Sequence, residues 1–345
     1  MIDLRSDTVT QPTPAMRKAM AEAVLGDDVF GEDPTVNRLQ ELAAERLGKE
    51  AGLLVVSGTM GNLVSCLTHC QRGDEMILGD QAHIHLFEAG GISALGSIHP
   101  RTVPNLPDGS LNPDDVVGAL RDPANLHYPK SRLLALENTH NRCDGAALPV
   151  EKMDALGSLA HEHGLAVHLD GARVFNAAVA LGVPTARVVR ECDSVQFCLS
   201  KGLSAPVGSV IVGSKAFIQE ARRWRKTVGG GMRQAGIIAA AGIVALNEMV
   251  DRLAEDHANA KRLAVGLADS PYVDIDPGRY HTDIIYFALS ERSPHSAGAF
   301  LARLKERGVL VSQPGGTKFR AVTHHGISES DIDTAVTAIA AAAAS

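Results

Sequence analysis

Short apolar runs at Leu53 to Val56, Met76 to Leu78, Leu133 to Leu136, Leu165 to Leu169 and Val195 to Leu199 alternate with amphipathic stretches such as Asn112 to Leu120 and Pro149 to His163. Runs that are apolar at consecutive positions suit strands buried on both faces, so the alternation predicts a mainly parallel sheet covered by helices on both sides. Leu203 to Gly213 adds further strand-like residues. Upstream, Thr13-Pro14 and Asp33-Pro34 each place a capping residue before a proline, with Gly26 and Gly48 as matching stops, so two short helices precede the sheet. Residues 1–11 show no helical period and read equally as a solvated polar arm or a substrate-facing strand. A basic helix from Lys215 to Lys226 leads into Gly229-Gly-Gly-Met-Arg233, and an alanine-rich helical stretch follows from about Gln234 through Ala268. Beyond it the pattern changes to strands at Thr282 to Leu289 and Lys318 to Val322 and helices at Ala297 to Arg307 and Ser328 to Ala344. The last opens on a Ser328-x-x-Asp331 capping box. The expected organisation is α/β: a large domain over 1–250, whose arm 1–12 reaches the site, and a small C-terminal α+β domain over 251–345.

The composition narrows the partners. With 345 residues, 45% hydrophobic and 21% charged, the chain can bury a large core, and a net charge of -7 argues against nucleic acid or an anionic membrane surface. A small-molecule ligand is expected. Five cysteines form an odd set without a C-x-x-C pair, which indicates neither a disulfide framework nor a zinc ribbon and suits a reducing cytoplasm. Cys66, His69 and Cys70 share a helical face, but no second pair of ligands matches them and no metal is expected. The charged start, Met1-Ile-Asp-Leu-Arg, does not read as a signal peptide, and no apolar run approaches a membrane span.

Candidate chemistry centres on Lys201, delivered from the apolar run of Val195 to Leu199 into a glycine turn, and on Asp170, which ends the preceding run. A lysine for an aldehyde and a carboxylate for a ring nitrogen are what pyridoxal 5'-phosphate (PLP) requires; either residue alone reads more readily as a surface lysine or a helix cap, and the pair reverses that preference. Ser57-Gly58-Thr59 follows an apolar strand and opens a helix, where backbone N–H groups suit a phosphate; a plain helix cap has the same sequence. His83 comes just after a strand end, His127 lies in a loop, and Arg173 and Arg320 are candidates to clasp a carboxylate. Neither a dinucleotide fingerprint nor a Walker loop is present.

Taken together, Asp3-Leu-Arg-Ser-Asp-Thr-Val-Thr10, Gly26-Asp-Asp-Val-Phe-Gly-Glu-Asp-Pro-Thr35, Leu86-Phe-Glu-Ala-Gly-Gly91, Glu137-Asn-Thr-His-Asn141, Asp170-Gly-Ala-Arg173, Leu199-Ser-Lys-Gly-Leu203 and the stretch from Arg223-Trp-Arg-Lys226 to Gln234 resemble the low-specificity L-threonine aldolases. The resemblance covers nearly the whole chain. It implies an aspartate-aminotransferase-like fold (PLP fold type I) with a mainly parallel seven-stranded sheet, and retro-aldol cleavage of L-threonine and L-allo-threonine to glycine and acetaldehyde. It implies that Lys201 links covalently to PLP, that Asp170 pairs with the ring nitrogen and that His83 stacks on the ring. Gly58 and Thr59, with Ser57 and Ser200 nearby, match the phosphate turn, and Arg233 matches an arginine reaching the phosphate of a neighbouring subunit. Ser6, Arg173 and Arg320 match the groups holding the substrate carboxylate, and His127 matches a histidine near its hydroxyl. Whether His83, His127 or a water held by them is the base stays open. Phe30 stands where tyrosine is common. A homotetramer built as a dimer of dimers, with shared active sites, is implied. The same lysine, aspartate and phosphate turn would also serve a β-eliminating lyase or an aminotransferase.

Overall fold

The computed structural model describes residues 1–344. Seven strands form the large sheet: β1 (Ala51–Val55), β2 (Glu75–Gly79), β3 (His99–Val103), β4 (Ser131–Glu137), β5 (Ala166–Asp170), β6 (Ser194–Cys198) and β7 (Ser209–Gly213). Their order is β1-β7-β6-β5-β4-β2-β3. All run the same way except β7, which is antiparallel to both β1 and β6. The register sets Glu137 beside Asp170 and Asp170 beside Gln196. The carboxyl ends of the parallel strands therefore deliver their following loops to one edge, where ligands bind in open α/β sheets. Five of the strands follow the apolar runs and β7 lies inside the stretch from Leu203. Strand β3 does not announce itself, because His99-Pro-Arg-Thr-Val103 is an edge strand with only its last residue buried.

The two early helices form where the capping residues sit. Thr13 accepts from the N–H of Met16 at the start of α1 (Pro14–Ala21), and Asp33 from those of Thr35 and Val36 at the start of α2 (Pro34–Leu47). Gly48 closes α2 in the left-handed conformation. Gly26 does not close α1, which ends at Glu22. It sits in the loop, where a Cβ would meet the Glu32 carbonyl oxygen at 2.3 Å. The expected single helix from Gln234 to Ala268 is broken: Gly236–Val244 runs into a π-helical turn, Ala245–Met249, and a fresh helix begins at Leu253.

One hydrophobic cluster takes in buried residues from Met16 to Leu253, and a second joins Leu4 to residues between Ala260 and Ala343. The second lies around a four-stranded antiparallel sheet, order β10-β11-β9-β8, made of β8 (Val273–Asp274), β9 (Ile284–Leu289), β10 (Ser312–Gly315) and β11 (Lys318–Val322). Its centre is aromatic: Phe300 and Phe319 rings lie 4.6 Å apart. The helix Glu329–Ala344 over this sheet opens with the reciprocal bonds of a capping box, Asp331 N–H to Ser328 Oγ and Ser328 N–H to Asp331 Oδ2. The amino-terminal arm is tied to this part, since Ile2 and Asp3 pair in parallel with Val309 and Leu310 and the Val322 N–H donates to the Leu4 carbonyl.

Helix α3 (Gly58–His69) packs so closely on β6 that side chains are excluded at the contact. A Cβ on Gly61 would stand 2.4 Å from Gln196 Cγ, and one on Gly58 would stand 2.9 Å from Cys198 Sγ. Overpacking such a site costs about 1–3 kcal/mol. Gly61→Ala should lower the urea midpoint accordingly, and an unchanged midpoint would mean that Gln196 swings aside freely.

Candidate active site

At the carboxyl edge of the sheet, Ser6, Thr8, His83, Glu137, Thr139, Asn141, Asp170, Ala172, Arg173, Lys201 and Arg320 line a cavity of about 190 Å³. The topology explains why these residues meet. Asp170 is the last residue of β5, Glu137 the last of β4, Lys201 follows β6 and His83 follows β2, while the arm brings Ser6 and β11 carries Arg320. The turn holding Lys201 is fixed through its carbonyl, which accepts from Thr10 Oγ1 at 3.1 Å and from the Ser204 N–H at 2.8 Å. No hydrogen bond or ion pair holds its amine among the described residues.

Next to Asp170 is a compact acid–base group. His83 Nδ1 lies 2.8 Å from Glu88 Oε1, and the His83 N–H donates to Glu137 Oε2 at 2.7 Å. Asn62 Nδ2 donates to both Glu88 Oε1 (2.7 Å) and Asp170 Oδ2 (2.9 Å), and the Ala172 N–H caps Asp170 Oδ1. Burial works against an imidazolium at His83, but the Glu88 hydrogen bond and the charges of Asp170, Glu88 and Glu137 outweigh it and raise its pKa. Burial and the Asp170 charge raise Glu88 in turn, against the hydrogen bonds it accepts. His83, Glu88 and Asp170 offer ligand atoms within 4.8 Å of one another. Each is already engaged in this hydrogen-bond set, so the group reads as a proton-handling site.

Two arginines that line the same cavity differ in state. Arg173 is buried and forked onto Asp7 through Nε (2.8 Å) and Nη2 (2.6 Å), with Asp283 at 3.7 Å. Burial alone would raise the Asp7 carboxyl, yet the charge and hydrogen bonds of Arg173 hold it well below the usual carboxylate range. Asp283, whose oxygens find no hydrogen-bond donor, is pushed up to about 7 by burial and by Asp7, against the pull of Arg173. Arg320 is half-buried and reaches only the Arg5 carbonyl, at 3.4 Å, and its Nε has no partner. Burial and the Arg173 charge both lower its pKa. A guanidinium so placed favours an anion in the cavity.

Of the sequence candidates, Ser6, His83, Asp170, Arg173, Lys201 and Arg320 come together in the cavity. At the same edge Ser57 caps α3, Gly58 and Thr59 form its first turn, and Ser200 lies in the turn after β6. Ser57 Oγ caps α3 by accepting from the Met60 N–H, which leaves the first N–H groups of the helix for an anion. His127 is not brought in. It sits in an exposed turn before β4, on the amino edge of the sheet, so the length of a seven-residue strand, about 23 Å, separates it from the site. Arg233 is exposed too and pairs with Asp27 at 3.0 Å. Residue-level reasoning missed Asp7, Asn62, Glu88, Glu137, His168 and Asp283. Asp7, Glu88 and Glu137 fall inside the matching segments.

The beta-eliminating lyase family matches residues 3–290. A curated relative, the probable low-specificity L-threonine aldolase 2 of Arabidopsis thaliana, is 52% identical over 334 residues, covering 96% of this chain and 94% of its own. The chain is a threonine-aldolase-type member of the beta-eliminating lyase family. The threonine aldolase of Leishmania major superposes with a TM-score of 0.82 at 20% identity, covering 98% of each chain. A serine palmitoyltransferase with PLP bound superposes at 0.77 and 19% identity, over 99% of this chain and 87% of that one. Both likenesses establish the architecture, PLP fold type I.

Two outcomes follow for this member of the family. Asp7→Ala leaves the buried Arg173 charge without its fork and should cost about 3 kcal/mol in chemical denaturation; a loss below about 1 kcal/mol would mean that Asp283 takes over as the partner. His168 and His69 are neutral when folded, burial pushing them down to about 3 and about 4 from 6.5. The unfolded chain binds protons at these sites first, so their contribution is complete above about 6.5 and drains away as pH falls towards those values. His168→Gln should therefore gain on the wild type in thermal melts between pH 6.5 and 4, with a constant difference above pH 7. A gap that stays fixed across the acid range would contradict this.

Proposed function

We infer that the protein is a PLP-dependent carbon–carbon lyase, a low-specificity L-threonine aldolase that cleaves L-threonine and L-allo-threonine to glycine and acetaldehyde. The observation that carries the reading is the cavity itself: an uncommitted lysine amine, a buried carboxylate and a carboxylate-free arginine within one small space. These residues fit PLP. Lys201 would supply the amine for its aldehyde, Asp170 would pair with the ring nitrogen, His83 would stack on the ring, and the amino end of α3 with Ser57, Gly58, Thr59 and Ser200 would hold the phosphate.

PLP, when bound, supplies a sink for the electron pair released as the bond between the α and β carbons breaks. The chain does the rest. Arg320 and Arg173, with Ser6, hold the substrate carboxylate and so fix which bond at the α carbon is aligned to break. His83 is the imidazole at the cavity, and with Nδ1 engaged by Glu88 its Nε2 is free to take the β-hydroxyl proton directly or through a water. Glu88 steadies the imidazolium that results. A positioned base of this kind contributes roughly a hundredfold to ten-thousandfold in rate. Asp170 would be the carboxylate paired with the ring nitrogen.

The homotetramer, a dimer of dimers with shared sites, belongs to the same reading. Val24, Leu25, Val29 and Phe30 are exposed around the Asp27–Arg233 pair, a surface suited to a second copy across which Arg233 reaches a neighbouring phosphate. His127 can approach a substrate hydroxyl only in a copy other than its own. We take 1–250 and 251–345 as the large and small domains. The cytoplasm is the proposed compartment, supported by five unpaired, buried cysteines. No helix among the described residues is long and apolar enough to cross a membrane.

Lys201→Ala should bind PLP without a covalent link and release acetaldehyde from either threonine diastereomer only at background, followed with an alcohol dehydrogenase coupled assay. Turnover near the wild-type rate would refute the assignment, and pyruvate from L-serine in place of acetaldehyde from threonine would favour elimination.

A further inference from the structure

Behind Asp170, away from the cavity, runs a line of polar side chains that the cleavage described above does not use. Asn62 Oδ1 lies 3.1 Å from His168 Nε2, His168 Nδ1 lies 2.8 Å from Ser194 Oγ, and Ser194 Oγ lies 2.7 Å from His69 Nε2. Asn62, His168 and Ser194 are buried, and the His69 ring stacks on Phe217 with centroids 4.7 Å apart. The line starts on α3, crosses β5 and β6, and returns to the end of α3.

The chemistry gives the line one direction. An amide donates only from nitrogen, and Asn62 Nδ2 already faces the carboxylates of Glu88 and Asp170, so Asn62 Oδ1 must accept the hydrogen bond, from His168 Nε2–H. His168 Nδ1 is then bare and accepts the Ser194 hydroxyl, whose oxygen in turn accepts from His69 Nε2–H. Each hydrogen points towards Asp170. Reversing the line would turn the Asn62 oxygen onto two carboxylates.

We propose that His168 is a positioning residue for the PLP-facing carboxylate: it locks the Asn62 amide with its donors on Asp170 and Glu88, while Ser194 and His69 lock the tautomer of His168. None of these groups touches PLP or substrate. Their effect reaches the reaction through the charge and aim of Asp170 and through the Glu88 that orients His83. The inference rests on the PLP reading of the cavity.

The test uses the holoenzyme of the wild type, His168→Phe, His168→Gln and Ser194→Ala, each checked for a cooperative melt. The readouts are the pH dependence of the bound PLP absorption band, the PLP dissociation constant, and kcat against KM for L-threonine. Phenylalanine fills the space but leaves the Asn62 oxygen without a donor, so His168→Phe should weaken PLP about tenfold, lower kcat about tenfold with KM nearly unchanged, and move the band's titration by about one pH unit. Glutamine places an N–H near the Nε2 position and an oxygen near Ser194, and His168→Gln should recover all three readouts to within about twofold. Ser194→Ala, the milder change, should shift them partway. A folded His168→Phe with wild-type spectrum and PLP affinity would overturn the proposal, as would a His168→Gln as impaired as His168→Phe, because the ring would then matter only for packing. Should His168→Phe not fold, wild-type values for Ser194→Ala would overturn it. A wild type that binds no PLP would instead bring down the reading of the cavity, an outcome separate from these.

Discussion

The Arg173–Asp7 ion pair is the joint on which the site depends. Asp7 comes from the arm and Arg173 from the turn after β5; Asp7 also accepts the Gly202 N–H beside Lys201, and Asp283 at the start of β9 stands behind. Four distant parts of the chain are thus tied at one guanidinium. A buried ion pair adds little net stability compared with well-packed apolar residues, because both charges lose their water. What it adds is uniqueness of arrangement. Leu4 holds the arm on the smaller core while Asp7 holds it to the sheet, so Ser6 and Arg320 face Lys201 across a fixed gap.

The cavity divides its charges accordingly. Asp170 and Glu137 in its lining, with Glu88 bonded to His83, raise the basicity of that imidazole; two guanidiniums also line it, one neutralised by Asp7 and one not. An amino-acid substrate matches this division, since its carboxylate suits the unpaired Arg320 while its hydroxyl and amino groups face the acid–base group. Were Arg320 also forked by an acid, the cavity would have no net pull on an anion.

Legibility in the sequence followed the range of the interaction concerned. Strand runs, capping residues and the Ser328–Asp331 box depend on neighbours a few positions apart, and they read directly. Lys201 and Asp170 were also readable, because each ends an apolar run and the sheet edge does the rest. Strand β3 was not, since an edge strand needs no apolar run. Nor was the π-helical break after Val244, because Gly242, two residues before it, is accounted for equally by its close packing on Leu39 and Leu199. Asn62 and His168 were missed because their roles arise only across the sheet: Asn62 meets Asp170 over a separation of 108 positions and His168 over 106. The site to which His127 belongs is illegible for a related reason. A histidine in a loop carries no sign of which sheet edge its loop belongs to, and that is decided by the strand that follows it.

The polar line behind Asp170 also explains why such hydrophilic residues sit between α3 and a sheet that is otherwise apolar. A buried carboxylate must be compensated, and a cation would do it most strongly, but a cation beside Asp170 would compete with the ring nitrogen for its charge. Neutral donors avoid that competition. The amide of Asn62 stabilises the anion without neutralising it, and its own oxygen then needs a donor that is itself neutral. Histidine in a dry setting meets that need, because burial keeps His168 uncharged while its two nitrogens still supply one donor and one acceptor. An apolar residue at 168 would leave the Asn62 oxygen buried and unsatisfied, and a lysine would bring in the charge that the arrangement avoids. The sequence His168-Leu-Asp170 thus places the carboxylate and the imidazole that steadies it two residues apart, on the same face of one strand.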